Sequence, residues 1–134
     1  MDIRNVDLGM VWKIRQEVMY PKEEIGYVQL PEDRLGRHRG LYSDGRLVSI
    51  VSLFDQGDRV WFRKFATLVE EQGKGYGSGL LACVMQEACM QGKQRIWCNA
   101  RVTAIGFYQR VGMYTTGESW WKNDIEFIKM EKEF

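Results

Sequence analysis

The chain has 134 residues, of which 45% are hydrophobic and 28% are charged, and its formal net charge is +1. This length can form one hydrophobic core but not two, so we expect a single domain over residues 1–134. The balanced charge argues against a nucleic-acid partner, and the lack of a long apolar run argues against a membrane-spanning segment.

The N-terminal residues are not followed by the apolar core of a signal peptide. The three cysteines, Cys83, Cys89 and Cys98, are odd in number and lack the spacing of a metal site. We therefore expect reduced thiols, no bound metal and a cytoplasmic location.

The first half of the chain alternates between one helical segment and several extended ones. Hydrophobic periodicity predicts a strand at Ile3–Val6 and a helix at Leu8–Met19, which Pro21 ends. Residues 21–37 are polar and irregular, with room for a short second helix and for contacts to a substrate. Three strands joined by hairpin turns follow, at Arg39–Tyr42, Leu47–Phe54 and Val60–Val69. The middle one is apolar on both faces, which indicates a central strand.

The second half contains two further helices. A glycine-rich loop, Gly73 to Gly79, leads into an amphipathic helix that ends near Gly92. The remaining predicted elements are a strand at Arg95–Asn99, a helix at Thr103–Val111 and two strands at Met113–Trp121 and Ile125–Lys132. This order predicts an α/β fold in which helices pack on a mixed, mostly antiparallel sheet.

The glycine-rich loop carries the clearest chemical signal. Alternate glycines allow positive φ and close approach of a ligand, and the first N–H groups of the following helix favour an anion such as a pyrophosphate. A Walker-type loop is excluded because Gly75 follows Gly73-Lys74 and position 68 is leucine. The dinucleotide pattern at Gly77–Ala82 is rejected because no acidic residue for a ribose lies about 20 residues further on. A module for another phosphate ligand stays open as an alternative.

Two segments carry a recognisable pattern. The first is Gln72-x-x-Gly75-x-Gly77, between a strand and an amphipathic helix, and the second runs from Asn99 through Phe107-Tyr108 to Gly112-Met113. Together they resemble the GNAT superfamily of N-acyltransferases, because the first is similar to the acyl-CoA loop of that family and the second to its final strand and helix. The resemblance implies an acyl-CoA N-acyltransferase fold and acetyl-CoA as a co-substrate.

The resemblance also implies roles for individual residues. The strand Phe65-Ala66-Thr67 would diverge from its neighbour and bind the pantetheine arm, and Tyr108 would face the thioester sulfur as the catalytic acid. Asn99 would hold the cofactor or a water. The expected cofactor-binding set is Phe65, Ala66, Thr67, Gln72, Gly73, Lys74, Gly75, Tyr76, Gly77, Ser78, Asn99 and Phe107, with backbone N–H groups from Gln72 to Gly77 on the pyrophosphate and Ser78 beginning the helix.

The general base is the point where the sequence departs from the family pattern. Members with a glutamate base often carry it on the strand before the loop, whereas this strand has Arg63 and Lys64 midway and Glu70 and Glu71 only at its end. The expected reaction is direct transfer of an acetyl group to a primary amine of a small molecule. A protein or peptide amine, or a non-catalytic CoA-binding module, are the alternatives. Family habit and the aromatic final hairpin suggest a homodimer.

Several other polar and aromatic residues are expected to have ordinary structural roles. His38 is interpreted as a surface histidine, and Cys98 as a packed strand cysteine rather than a nucleophile. Trp120 and Trp121 alternate across a strand, so one of them should be buried. The remaining acidic residues of the irregular segment are expected to be solvated loop charges that would attract a cationic amine if the loop forms the acceptor site: Glu23, Glu24, Glu32 and Asp33.

Overall fold

A computed structural model describes all 134 residues and confirms the predicted α/β fold. Seven strands form one sheet in the order β1-β2-β3-β4-β5-β7-β6, in which only the β4–β5 pair is parallel. The strands are β1 (Asp2–Asn5), β2 (Arg37–Ser43), β3 (Arg46–Gln56), β4 (Arg59–Thr67), β5 (Arg95–Arg101), β6 (Tyr114–Lys122) and β7 (Ile125–Glu133). The helices are α1 (Leu8–Met19), α2 (Tyr76–Met90) and α3 (Ile105–Arg110).

Helix α1 begins and ends where the sequence predicts. The Asp7 side chain caps it by accepting a hydrogen bond of 3.1 Å from the Met10 N–H. Short 3₁₀ turns at Ile25–Val28 and Asp33–Leu35 occupy the irregular segment that follows. No helix of the chain is both long and apolar enough to cross a membrane.

The hairpins and the central strand agree with their sequence signals. Asp44 and Gly45 both have positive φ, as do Asn123 and Asp124, so both hairpins turn in the conformation that matches the strand twist. Every residue of β3 from Leu47 to Phe54 is buried, which confirms a strand covered on both faces.

The two long helices pack on opposite faces of the sheet. Arg15 of α1 hydrogen-bonds the Ser52 hydroxyl of β3, so the face that carries Ser52 lies under α1. Ser49 of β3 hydrogen-bonds Thr67, and the start of α2 approaches Thr67 from the same side. We refer to these as the α1 face and the α2 face.

Strand β6 is the part of the fold where the expectation about tryptophan burial is wrong. Trp120 and Trp121 are 38% and 68% exposed, so neither is buried. The reason is topological: β6 is the last strand of the sheet, and nearly all its residues are exposed. Trp120 and Trp121 alternate as residues of a strand do, but one face of a strand is buried only where another element covers it.

Candidate active site

The candidate site lies at an opening in the sheet between β4 and β5. The two strands pair only from Arg59–Trp61 to Arg95–Trp97, and both continue for several residues beyond this ladder. Phe65, Ala66 and Thr67 therefore lie on a stretch of β4 whose edge toward β5 is free of strand pairing, as the resemblance implies.

A bulge in β4 contributes to this divergence. The register with β3 shifts between Ser52, opposite Arg63, and Ile50, opposite Ala66. Within the shift, Lys64 has φ of 53°, an uncommon value for a residue with a side chain. A bulge increases the local twist of its strand, so β4 turns away from β5 at this point.

The glycine-rich loop ends β4 and presents free N–H groups. The backbone N–H groups of six consecutive residues, Gly73 to Ser78, donate to no other backbone group, because the first helical bond of α2 is from Gly79 to Gly75 at 3.0 Å. Gly73 and Gly75 have φ of 78° and 86°, and a Cβ at either would meet only open space. The loop is therefore an exposed cradle of donors at a helix N-terminus, which fits a phosphate group.

Three details of the loop differ from the sequence interpretation. Helix α2 begins at Tyr76 rather than at Ser78, because Gly75 in the left-handed conformation is its N-cap. The Gln72 N–H is already bonded to the Val69 carbonyl at 3.3 Å, so the run of free donors starts one residue later. Gly77 has an ordinary φ, and its lack of a side chain instead allows α2 to approach Phe65, whose ring lies 2.8 Å from a Cβ placed there.

The side chains of the loop hold its shape. Gln72 Nε2 donates to the Thr67 carbonyl at 3.0 Å and so ties the loop to the end of β4. Lys74 pairs with Glu71 at 3.0 Å, and this hydrogen bond raises the pKa of Lys74. Tyr76 shares a hydrogen bond of 3.0 Å with Ser43, which anchors the first turn of α2 to the sheet.

Tyr108 lies in an aromatic cluster on the α2 face of the opening. Its ring is 5.9 Å from that of Phe62, 6.5 Å from that of Phe65 and 5.2 Å from that of Phe107, and Phe65 and Phe107 stack at 5.8 Å. Burial, with a smaller contribution from Cys98, raises the pKa of Tyr108 well above its ordinary value. The phenol therefore stays protonated throughout the neutral and moderately alkaline range and can act only as a hydrogen-bond donor to a charged group.

Neighbouring residues of β5 project to opposite sides of the opening. Cys98 is buried on the α2 face, and burial raises its pKa to about 12, so its expected role as a packed cysteine is confirmed. Asn99 alternates with Cys98, is exposed and lies opposite Lys129 in the β5–β7 register. Asn99 and Tyr108 therefore flank the opening from different faces of the sheet.

The α1 face of the opening carries a group of residues that the sequence analysis did not identify. We call this group the tryptophan face, and it consists of Trp61, Arg63, Trp97 and Lys129. The two indole rings are parallel and stack at 5.1 Å, the Arg63 guanidinium lies 4.5 Å from the Trp61 ring, and Lys129 Nζ lies 4.9 Å from the Trp97 ring. Trp61 and Trp97 are 36 positions apart and meet only because β4 and β5 pair in parallel.

The carboxylates at the end of β4 are turned toward arginine and lysine. Glu70 pairs with Arg46, and Glu71 pairs with Lys74. Glu32, from the irregular segment, pairs closely with Arg63. Each of these acids therefore has a cationic partner.

A buried ion pair fixes the irregular segment beside the opening. Arg15 and Asp33 are 0% and 1% exposed and form two hydrogen bonds of 2.8 and 2.9 Å. Asp33 also accepts hydrogen bonds from Trp12 Nε1 and the Leu30 N–H. Burial alone would raise its pKa, but these bonds and the charge of Arg15 outweigh burial and lower the pKa to about 2. Asp33 is thus not a solvated loop charge, and that expectation is wrong.

His38 belongs to the same buried network, so its interpretation as a surface histidine is also wrong. Strand β2 begins at Arg37, earlier than predicted, and this places His38 inside the sheet opposite Ser52. Its Nε2 donates to the Asp33 carbonyl at 2.8 Å, and its Nδ1 hydrogen-bonds the Ser52 hydroxyl at 2.8 Å. Next to this network is a cavity of about 360 Å³, lined by Trp12, Gly26, Gln29, Leu30, Pro31, Asp33 and Arg34.

Comparisons with known proteins agree with this architecture. The model of the acetyltransferase (GNAT) domain matches residues 22–134. An uncharacterized N-acetyltransferase of Bacillus subtilis, YitI, is 27% identical over 127 residues, which cover 88% of this chain and 85% of YitI.

Solved structures share the fold at low sequence identity. An acyl-CoA N-acyltransferase from Pseudomonas aeruginosa superimposes with a TM-score of 0.79 at 20% identity, covering 98% of both chains. An acetyltransferase from Bacillus subtilis, solved in complex with CoA, superimposes with a TM-score of 0.76 at 14% identity, covering 98% of this chain and 97% of the other. The chain therefore belongs to the GNAT acetyltransferase family and is an acyl-CoA-dependent N-acyltransferase.

Proposed function

We propose that the chain, as one domain, transfers an acetyl group from acetyl-CoA to a primary amine of a small molecule. The observation that carries this proposal is the cradle of free N–H groups from Gly73 to Ser78, which follows the end of β4 where its edge toward β5 is open. A pyrophosphate on these donors would direct the pantetheine arm along the free edge of Phe65, Ala66 and Thr67. The Bacillus subtilis acetyltransferase of the same fold was solved in complex with CoA, which supports CoA as the ligand of this chain.

The chemistry needs no covalent intermediate on the protein. A neutral amine nitrogen attacks the thioester carbonyl, a C–N bond forms and the C–S bond breaks, and the sulfur leaves as a thiolate. The ammonium proton passes to a base or to water, and the thiolate takes up a proton. Holding the amine and the thioester together supplies a large part of the rate enhancement.

In this proposal Tyr108 stabilises the leaving thiolate by hydrogen bonding. Burial raises the pKa of its phenol above the ordinary value, whereas a thiol has a pKa near ~8.5. Complete transfer of the phenolic proton to the sulfur is therefore uphill, and the final proton comes from solvent. A tyrosine with a raised pKa does not titrate near pH ~10. We therefore expect Tyr108 to cause no change in the dependence of rate on pH in that range.

Replacement of Tyr108 by phenylalanine tests this role. The ring and its contacts to Phe62 and Phe107 remain, and only the hydroxyl is lost, so CoA affinity and melting temperature should change little. Turnover should fall roughly 100-fold, as for the loss of one donor to a developing charge. The matched control is Tyr114→Phe on β6, which removes an exposed hydroxyl that donates to Glu133 of β7. Wild-type kcat in Tyr108→Phe, where chemistry limits the rate, would remove Tyr108 from the mechanism.

Two binding alternatives are distinguished by simple measurements. A non-catalytic CoA-binding module would bind CoA but would release no thiol from acetyl-CoA with any amine. A module for another phosphate ligand would be stabilised by a nucleotide at least as well as by CoA in a thermal-shift competition. The homodimer and the cytoplasmic location stay predictions from the sequence.

A further inference from the structure

The opening between β4 and β5 has two chemically different sides. The α2 face carries the loop, the aromatic cluster and Tyr108, which the proposed function assigns to the thioester. The aromatic cluster fills the α2 face beside Tyr108, so in this inference the acceptor approaches from the α1 face. That face presents Trp61 and Arg63 of β4, and Trp97 and Asn99 of β5, around the point where the strands part.

The α1 face is open beyond β4. Helix α1 packs on β3 and β4 and does not extend over β5 and β7. Side chains of the tryptophan face consequently remain accessible, with Arg63 and Lys129 at 26% and 36% exposure. The stacked indole rings form an apolar surface, with Arg63 over the Trp61 ring and Lys129 over the Trp97 ring.

Charge on this face is predominantly positive. Lys64, beside Arg63, donates a hydrogen bond of 3.3 Å to the Tyr20 hydroxyl and has no carboxylate partner. Lys129 lies 3.9 Å from Glu131, and the same carboxylate lies 3.6 Å from Arg95. Glu32 is the acid that pairs with Arg63, and it enters from the irregular segment rather than from the sheet.

The Glu32–Arg63 pair indicates what this face can hold. It places a carboxylate beside the guanidinium that lies over the Trp61 ring. Both side chains are partly exposed, and exposed ion pairs of this kind are weak, so a ligand anion can exchange with Glu32 at little cost. A polyamine would instead bring positive charge against Arg63, Lys64 and Lys129.

From these observations, and resting on the proposed function, we propose that the acceptor is an amine that also bears an anionic group. The carboxylate or phosphate of the acceptor binds Arg63 over the Trp61 ring, and its amine points into the opening. Arginine offers two parallel donors to such a group, and the neighbouring Lys64, which has no carboxylate partner, adds a point charge. Arg63 and Lys64 thus determine acceptor specificity.

The test compares acceptors with and without the anionic group, and kcat/KM is expressed per neutral amine because the anionic group also raises the pKa of the amine. Thiol release from acetyl-CoA is measured with alanine against alaninamide, and with phosphoethanolamine against ethanolamine, and these pairs separate carboxylate from phosphate. We expect kcat/KM for at least one anionic member to exceed that of its neutral partner by roughly tenfold or more. In Arg63→Gln and in Lys64→Gln, this preference ratio should fall roughly 10-fold toward one, the loss of a charged hydrogen bond.

A matched control is available on the same strand. Arg59→Gln removes a cation from the same face of β4, two residues before Trp61 and away from the opening. This variant should keep the wild-type preference ratio. Melting temperatures of all three variants establish that each is folded.

Three outcomes overturn the inference while leaving the proposed function intact: equal kcat/KM for both members of each pair, a preference for the neutral members, or a preference that survives both substitutions. If no member is acetylated, calorimetric titration of the same compounds into the CoA complex decides the question. Selective binding of an anionic member, lost in Arg63→Gln, supports the inference, and failure of both anionic members to bind overturns it. Failure of the proposed function itself is recognised separately, by the absence of CoA binding.

Discussion

Neutralising Asp33 should destabilise the protein far more than neutralising a similar acid on its surface. Asp33→Asn preserves the shape of the side chain but removes the one carboxylate paired with Arg15, which is completely buried. Four hydrogen bonds reach this carboxylate, from two Arg15 nitrogens, Trp12 and the Leu30 N–H. An unpaired buried guanidinium typically costs about 3–5 kcal/mol, a large share of the ~5–15 kcal/mol that stabilises a domain.

The measurement is urea unfolding followed by tryptophan fluorescence, together with the melting temperature. We expect a decrease of about 3–5 kcal/mol in the free energy of unfolding and roughly 10–20 °C in the melting temperature. Asp55→Asn is the control, because Asp55 makes the same two-bond contact with Arg37 on the surface, where its side chain is 44% exposed. That variant should lose about 1 kcal/mol or less. Equal losses in the two variants would refute the argument from burial.

The pH dependence of stability tests the same pair in the wild-type protein. The folded-state pKa of Asp33 is about 2, below the value of ~3.9 for an unfolded chain. Its contribution of about 2–3 kcal/mol is therefore present above pH ~4 and is lost as pH falls toward 2. Acid titration of the free energy of unfolding should have a component in this window that Asp33→Asn lacks.

Two further predictions concern the loop and the buried cysteine. Gly75→Val should abolish CoA binding by calorimetry while the domain stays folded, because φ of 86° strains a β-branched residue in a position with open space around it. Gly57→Val, at a similarly open turn with φ of 65°, should bear a comparable strain and leave CoA affinity unchanged, and an equal loss of affinity there would contradict the local explanation. Cys98, with its pKa raised to about 12, should react with a thiol reagent at pH 8 only after unfolding, whereas the exposed Cys89 should react at once. Labelling of native Cys98 at the rate of Cys89 would show that β5 opens readily.

Local sequence signals account for the elements and for the loop. The apolar run at Leu47–Phe54, the Asp44-Gly45 turn and the glycines of the loop each act through interactions of a few neighbouring residues. Such signals can be recognised in the sequence, because they arise from interactions between residues that are close together in the chain. Errors at this level are small, such as the start of α2 at Tyr76.

Long-range polar contacts account for what the sequence analysis missed. In the sequence, Arg15 occupies one position of the buried face of a helix, and Asp33 is one of several acidic residues in a loop. No local pattern indicates that the two residues interact. Their burial becomes favourable only when α1, the irregular segment and β3 come together and each charge meets the other. The burial of His38 is not predictable from local sequence for the same reason. Its two partners, Ser52 and the Asp33 carbonyl, come from other segments.

The opening between β4 and β5 is the feature of the fold that creates the proposed reaction site. A bulge at Lys64 turns β4 away from its parallel neighbour, so the sheet itself separates a buried aromatic side from a charged, accessible one. In the proposed reaction the buried side holds the thioester, where the protonated Tyr108 would stabilise the leaving thiolate. The accessible side would receive the amine, where water can take up its proton and Arg63 would bind the proposed anionic group. The Arg15–Asp33 pair fixes the segment that bears Glu32 over Arg63, so the stability of this buried pair and the proposed acceptor selection depend on the same stretch of chain.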